Sequence, residues 1–509
     1  MPKHRLVCIG DSLTQGFKSG AIFEPNLAFP AIIAWEMGLA EDDFRYPSFA
    51  GQGGLPINIE FLLRRLDHQF GPDLDWWELP LAPIFVRQWM DEIEDYWERG
   101  AGTSAIGYRG HYHNLAVSGF QVQDAYLLTA ELCQNIVAQA SADNWVSQVV
   151  DNALYRTALR VLNPDQSPER NTATQISRAR DMAVQDGIEN LIVFLGANNI
   201  LGTVTSLTVK ESTTDELMKA DPRDRPANLY LPDHFRAVFT RLVEEIESIN
   251  ADRVFWGTVP AVTIAPVTNG VGGRMDTQAG LASPFGAGDH PKWYRRYFRY
   301  YTRPWVPEAR FKPIEDEFLT GEQAMRIDGI VAQYKGILLE AIASHNAQRV
   351  ADSDTANWFV ADIHWALERI AYRRYAEDPS VPPPPGWSPY EMPASLERLQ
   401  LDTRFLRAKQ GVRVAGGIFS LDGIHATTAA YGLVAQEFIN TMQQAGVPFF
   451  WGDGVTRRVG PIVVDYERLI RLDTLLQGLP RTLDDVWDRL VDGDQVLDVF
   501  RRALRALSG

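Results

Sequence analysis

Short apolar runs recur along the chain, and patterns with helical periodicity lie between them. The runs predict buried strands over 6–9, 112–117, 191–195, 253–256 and 358–361. The helical patterns cover 27–38, 121–140, 172–186, 233–249 and 321–348, and a last one, with Leu433, Phe438 and Met442 on one face, covers 427–444. Strands that alternate with helices predict an α/β fold around a central parallel sheet, with ligands bound beyond the carboxyl ends of the strands.

The connections between these elements are much longer than the few residues that compact α/β domains normally use. Four segments, at about 40–110, 203–232, 262–320 and 364–415, are interpreted as insertions that decorate one end of the core. We therefore predict one domain over 1–446 and a helical C-terminal extension over 447–509. An apolar stripe of Leu497, Phe500 and Leu504 in that extension predicts a packing or dimer contact.

Composition and charge restrict the class of partner. The chain has 49 basic and 65 acidic residues, a net charge of −16, which argues against general binding of nucleic acid or anionic membranes. No stretch of 18 apolar residues is present, so no transmembrane segment is expected. No basic-then-apolar leader precedes the first predicted strand, which favours a cytoplasmic protein; removal of a leader would favour secretion instead.

Two further patterns have competing interpretations. Basic and aromatic residues alternate over 289–305, a composition suited to a polyanion, a sugar face or a lipid headgroup. In an acidic protein we favour a folded insertion in which arginines stack on aromatic rings beside acidic neighbours. His111 and His113 could ligate a metal, but no carboxylate or further histidine has matching spacing, so a structural role is favoured. We expect neither a metal nor another cofactor.

A candidate nucleophile and a candidate base lie near opposite ends of the chain. Ser12 follows the first predicted strand in Gly10-Asp11-Ser12-Leu13, and a serine in a tight turn at a strand end is well placed to be a nucleophile. Asp422-Gly-Ile-His425 has a spacing that lets the carboxylate contact one imidazole nitrogen, which orients the ring and stabilises its protonated form. Together these motifs predict a catalytic triad of Ser12, Asp422 and His425.

Three groups at strand ends could donate hydrogen bonds to a developing oxyanion. The Ser12 backbone N–H lies at the start of the next helix. The Gly119 N–H follows the second predicted strand without side-chain obstruction, and the Asn198 side-chain amide follows the third.

These four strand-end features, in this order, resemble those of the SGNH, or GDSL, hydrolase family. The motifs are Gly-Asp-Ser12-Leu, Asn114-x-x-x-Ser-Gly119, Gly-x-Asn198 and Asp422-x-x-His425. The resemblance implies a flavodoxin-like, three-layer α/β/α core with a central parallel five-stranded sheet. It also implies hydrolysis of esters or thioesters through an acyl-enzyme, with Ser12, Gly119 and Asn198 forming the oxyanion hole. Asn199 departs from the family's usual aspartate, and the distances between motifs are unusually long.

The expected function is that of a serine-dependent carboxylic ester hydrolase of the esterase or lipase type. Its substrate would be a small-molecule, lipid or carbohydrate ester. Two alternatives stay open: an acyltransferase that uses the same residues, and a non-catalytic binding or scaffold protein on a degenerate hydrolase core. Asn199 and the long insertions favour the scaffold, whereas the presence of nucleophile, base and oxyanion donors favours an enzyme.

Overall fold

A parallel sheet of four strands lies at the centre of the computed structural model, which describes residues 3–71, 78, 81–139, 149–275, 297–371 and 388–492. The strands in chain order are β1 (Val7–Gly10), β2 (Ala21–Ile22), β3 (Leu55–Pro56), β4 (Asn190–Phe194), β5 (Arg253–Gly257), β6 (Asn269–Arg274), β7 (Phe298–Thr302), β8 (Leu319–Thr320), β9 (Trp358–Ala361), β10 (Arg407–Lys409) and β11 (Val412–Ala415). The central sheet has the spatial order β1-β4-β5-β9. Its register places Val7 beside Leu191, Leu191 beside Val254, and Val254 beside Trp358.

Both faces of this sheet are buried, because successive side chains of each strand enter two separate hydrophobic clusters. Val7, Val193 and Trp256 belong to one cluster, and Cys8 and Phe194 belong to the other. A central parallel sheet covered on both faces is the arrangement that continuous apolar runs predict. The prediction of an α/β fold with a parallel sheet is therefore confirmed.

The helices predicted from the sequence are present close to their predicted ranges, except for the one over 121–140, and further helices lie between them. In chain order they are α1 (Ser12–Gln15), α2 (Phe29–Glu36), α3 (Ile59–Phe70), α4 (Ala82–Glu98), α5 (Asp124–Leu127), α6 (Ala130–Ala138), α7 (Ala153–Leu162), α8 (Gln175–Gln185), α9 (Gly202–Ser206), α10 (Pro232–Glu247), α11 (Gly321–Ala351), α12 (Ile363–Ile370), α13 (Ala394–Glu397), α14 (Thr428–Gln444), α15 (Tyr466–Leu472), α16 (Thr474–Gln477) and α17 (Leu483–Asp492). The single helix predicted over 121–140 is instead two helices, α5 and α6. Leu128 is extended between them, and the Thr129 side chain accepts the Leu132 N–H at the start of α6.

The strand predicted over 112–117 is not confirmed as a regular strand. The segment runs beside β1 and forms a single parallel bridge, between Cys8 and Asn114. The Asn114 side chain accepts the N–H of Ala116 at 3.1 Å and donates to the Thr14 carbonyl at 2.8 Å. The Leu115 and Val117 N–H groups still donate to carbonyls of β1, so the segment stays hydrogen-bonded to that strand.

The four insertions contain helices, strands and turns. Residues 40–110 contribute α3 and α4, and 262–320 contribute a three-stranded antiparallel sheet in the order β6-β7-β8. Residues 364–415 contribute most of α12, then α13 and the β10-β11 hairpin, and 203–232 contribute α9 and turns. No helix among the described residues has both the length and the apolar character needed to span a membrane.

The C-terminal extension packs on α14 through its described part. The Tyr466 hydroxyl donates to the Gly432 carbonyl at 3.2 Å, and the buried Asp473 carboxylate accepts the Ala429 N–H at 2.9 Å. Helix α15 and the residue that caps α16 therefore support the helix that follows His425. The predicted stripe of Leu497, Phe500 and Leu504 lies outside the described residues.

The described part of the basic and aromatic segment contacts other residues of the insertion to which it belongs. Arg303 is buried and pairs with Glu317 at 3.1 Å, while the ring of Tyr300 packs against those of Phe311 and Phe318. Residues 289–296 lie outside the described residues.

Three histidines pack together near the start of β1. His4 Nδ1 lies 3.1 Å from His113 Nε2, and the His4 and His111 rings are 6.3 Å apart. Among the described residues, no group of three or more His, Cys, Asp or Glu side chains is arranged to hold a metal ion. Burial lowers the pKa of all three rings, and that of His113 falls to about 3.

This histidine cluster predicts a loss of stability in acid. Because burial lowers the folded-state pKa of His113, the unfolded chain binds more protons, and the stabilisation is complete only above about pH 6.5. Below that pH the free energy of unfolding should fall by up to about 1.4 kcal/mol per pH unit from this site. His113→Gln should reduce that slope in urea denaturation between about pH 5 and pH 7.5.

The control for this measurement is His68→Gln, which changes an exposed imidazole. We expect its slope to equal that of the unchanged protein. An unchanged slope in His113→Gln would contradict the prediction.

Candidate active site

Ser12 is the first residue of α1, immediately beyond the carboxyl end of β1. Asp11 caps this helix by accepting the Leu13 N–H at 3.2 Å. The turn is tight: a Cβ atom at Gly10 would lie 2.1 Å from Thr14 Oγ1, so the close approach of strand and helix requires glycine. The Ser12 side chain is thereby held at the edge of the sheet.

The structure brings Ser12, His425 and Asp422 into one continuous chain of hydrogen bonds. His425 Nε2 lies 2.9 Å from Ser12 Oγ, and His425 Nδ1 lies 3.0 Å from Asp422 Oδ2. The Phe17 ring lies against the imidazole, with 4.5 Å between ring centroids. The three residues that the sequence predicted to act together are therefore in direct contact.

The environment of Asp422 determines which nitrogen of His425 carries a proton. Burial opposes ionisation of Asp422, but the His425 ring and the backbone N–H groups of His425 and Ile424 outweigh it and hold the pKa below its usual value. A carboxylate can only accept hydrogen bonds, so Nδ1–H of His425 must donate to it. His425 Nε2 is then free to accept the Ser12 hydroxyl proton.

A second buried carboxylate, that of Asp11, lies directly beside the serine. Burial raises the pKa of Asp11 to about 7, although the Leu13 N–H and the His425 ring favour its ionised form. Burial therefore favours the neutral form of the carboxyl group next to Ser12. Asp11 lies within the Ser12 motif, but the motif alone does not predict a separate role for it.

The predicted oxyanion donors occupy neighbouring loops. Gly119 has φ of 85°, a left-handed conformation that favours glycine. Among the described residues, neither the Ser12 nor the Gly119 backbone N–H has a hydrogen-bond acceptor. Asn198 Nδ2 donates to the Phe120 carbonyl at 2.9 Å and has a second N–H. Asn198 lines a cavity together with Ser12 and His425, whereas Gly119 is not part of that cavity's wall.

Asn199, which stands where the SGNH pattern has an aspartate, links the loop that carries Gly119 to the loop that carries Asn198. It is fully buried, and its Oδ1 accepts the Val122 N–H at 3.0 Å. Its Nδ2 donates to Gln123 Oε1 at 3.2 Å. An aspartate could not make the second bond, because an ionised carboxylate has no donor. Asparagine therefore suits this position because Gln123 presents an acceptor.

A buried ion pair from an insertion supports the same loops. Arg225, in the segment 203–232, pairs with Asp124, and the two side chains are only 0% and 1% exposed. Arg225 Nη1 also donates to Gln121 Oε1 at 2.9 Å, and Asp124 accepts the Gln121 N–H at 2.7 Å. The loop that carries Gly119 is thus fastened to this insertion. This pair could not be predicted from the sequence, because the two residues are 101 positions apart and share no motif.

Comparison of the chain with known proteins found no match among family models, curated proteins or solved structures. The resemblance to the SGNH hydrolases therefore depends on four short motifs. The two hydrogen bonds that connect Ser12, His425 and Asp422 are the structural observation that bears most directly on function.

Proposed function

We propose that this protein is a serine-dependent carboxylic ester hydrolase that acts through a covalent acyl-enzyme. The observation that carries the proposal is the hydrogen-bonded chain from Asp422 through His425 to Ser12 Oγ, with distances of 3.0 and 2.9 Å. This is the arrangement of nucleophile, base and orienting carboxylate that hydrolases of unrelated folds share. A scaffold protein would have no need to keep it.

We also propose membership of the SGNH hydrolase family, with its flavodoxin-like, three-layer, five-stranded core. The segment 112–117 exchanges backbone hydrogen bonds with β1, as in Cys8 N–H to His113 O at 2.8 Å and Leu115 N–H to Cys8 O at 2.9 Å. Counting it as the second strand gives the order 2-1-3-4-5 of that fold. Ser12 would then lie at the point where the strand order reverses, where such folds bind ligands.

In the acylation step, Ser12 Oγ attacks the ester carbonyl carbon while His425 Nε2 takes the hydroxyl proton. The carbonyl π electrons move to oxygen, and the negative charge is stabilised by the Ser12 and Gly119 N–H groups and the Asn198 amide. When the carbonyl re-forms, the bond to the alcohol oxygen breaks. His425 donates its proton to that oxygen, and the alcohol leaves.

Deacylation repeats the sequence with water as the nucleophile. His425 Nε2 removes a proton from water, whose oxygen attacks the acyl carbon. Collapse of the tetrahedral intermediate breaks the bond to Ser12 Oγ, which regains its proton from His425. Asp422 stabilises the charged imidazole in both steps without taking its proton.

Ser12→Ala should lower kcat/KM for p-nitrophenyl acetate by at least about 10⁴-fold, because the nucleophile is lost. A fluorophosphonate should label only Ser12, as mass spectrometry of the intact protein and its peptides would detect. Ser19→Ala is the control, since that buried hydroxyl has no hydrogen-bond partner among the described residues. Absence of both turnover and labelling in the unchanged protein would refute the proposed function.

Asp422→Asn should lower kcat by about 10⁴-fold, because the amide favours the wrong tautomer of His425. Asp402→Asn is the matched control: Asp402 is another buried carboxylate that accepts backbone N–H groups, from Arg404 and Gly416. We expect Asp402→Asn to retain the reactivity of Ser12. Equal kcat values for the two variants would argue against a role of Asp422 in orienting the base.

Asn198→Ala should lower kcat by about 10²- to 10³-fold, or about 2.7–4 kcal/mol, with little change in KM, because the lost donor acts on the transition state. Asn198→Asp, which keeps the size of the side chain but removes the donor, should show a similar loss. Steady-state kinetics with p-nitrophenyl acetate would measure both. If Asn198→Ala keeps its kcat within about threefold, Asn198 is not an oxyanion donor.

A further inference from the structure

The cavity beside Ser12 has a polar end and an aliphatic body. Its polar lining side chains are Asp11, Ser12, Asn198 and His425, and all other side chains that line it are apolar. The aliphatic body includes Ala261, Val262, Ile264, Ala430, Leu433 and Val434. A substrate group that enters this body meets no charge and no hydrogen-bonding side chain.

We infer that this cavity is the acyl pocket, and that it accepts a short, unbranched aliphatic acyl group of about three or four carbons, an inference that rests on the proposed esterase function. Its volume is about 70 Å³. An apolar cavity of about 150 Å³ holds the six carbons of benzene, so about 70 Å³, which includes the polar end, corresponds to roughly three carbons. Propanoyl and butanoyl chains are closest to this estimate.

The acyl chain, rather than the alcohol, suits an apolar pocket of this kind. The alcohol takes a proton from His425, leaves, and is replaced by water, so its side of the site has to admit water. The acyl chain stays bound to Ser12 until deacylation is complete, so its pocket can remain dry. Burial of each methylene strengthens binding by about fourfold, which makes the pocket sensitive to chain length.

One face of α14 forms much of the pocket wall. Ala430, Leu433 and Val434 have the spacing i, i+3 and i+4, which places their side chains on one face of a helix. All three are buried, and α14 begins only three residues after His425. The helix that follows the base therefore also limits the length of the acyl chain, with Ala430 and Leu433 as the specificity-determining positions.

The test uses two substrate series with the full-length protein. One varies the acyl chain of p-nitrophenyl esters from acetate to dodecanoate, and the other varies the alcohol of acetate esters. We expect kcat/KM to be highest near butanoate and to be at least about tenfold lower for octanoate and longer chains. A maximum at octanoate or beyond, as for a lipase, would overturn the inference.

Two variants should move this profile in opposite directions. Ala430→Val fills the pocket and should lower kcat/KM for butanoate by about 10-fold or more while acetate changes by less than about threefold. Leu433→Ala enlarges the pocket and should move the best substrate to a chain longer by about two carbons. Ile439→Ala is the matched control, because Ile439 is fully buried on the same helix and in the same hydrophobic cluster but does not line the cavity.

The outcomes separate this inference from the proposed function. If the esters are hydrolysed but neither pocket variant changes the ratio of butanoate to acetate relative to Ile439→Ala, the pocket assignment is wrong and the esterase proposal stands. If the variants alter the alcohol series instead, the pocket binds the leaving group and the acyl assignment is overturned. If no ester is hydrolysed and Ser12 does not react with a fluorophosphonate, both proposals fail.

Discussion

The buried carboxylate of Asp422 is the group on which the arrangement of the candidate site depends. It accepts the Gly20 N–H from the loop after α1 at 3.0 Å, and the N–H groups of Ile424 and His425 from its own loop at 2.8 Å. Burying a charge without such partners is strongly unfavourable, so the two loops can pack together only in the register that satisfies it. A bond from the Ser19 N–H to Ser420 Oγ, at 2.8 Å, connects the same two loops. The position of His425 relative to Ser12 follows from this packing.

The segments that interrupt or follow the core also hold the site together. Arg225 reaches from an insertion into the loop that carries Gly119, and Asn199 joins that loop to the one that carries Asn198. Asp473, in the C-terminal extension, accepts the Ala429 N–H in the first turn of α14. Displacing one of these loops would leave buried polar groups unpaired, which is costly, so the network resists such displacement. The candidate oxyanion donors and His425 are thus supported from an insertion that was predicted only to decorate the core and from the C-terminal extension.

Local patterns in the sequence predicted the central elements well and their irregularities poorly. The long helix predicted over 321–348 appears as Gly321–Ala351, and the Thr320 side chain caps it by accepting the Gln323 N–H. Segment 112–117 forms only one bridge with β1, and its Asn114 side chain bonds to the Ala116 N–H and the Thr14 carbonyl, contacts that an apolar pattern does not reveal. The contact between Asp422 and His425 was predictable because the two residues are three positions apart in the sequence. Arg225 and Asp124 are 101 positions apart. Pairing of distant charged side chains leaves no periodic signal in one sequence.

The bond between Ser12 and His425 joins residues that are 413 positions apart. At a synthesis rate of about 5–20 residues per second, the ribosome needs about 20–80 s to add the residues between them. Throughout that interval the nascent chain contains the serine without its base. Any reaction that needs both side chains can therefore begin only after most of the chain has emerged and folded around the sheet.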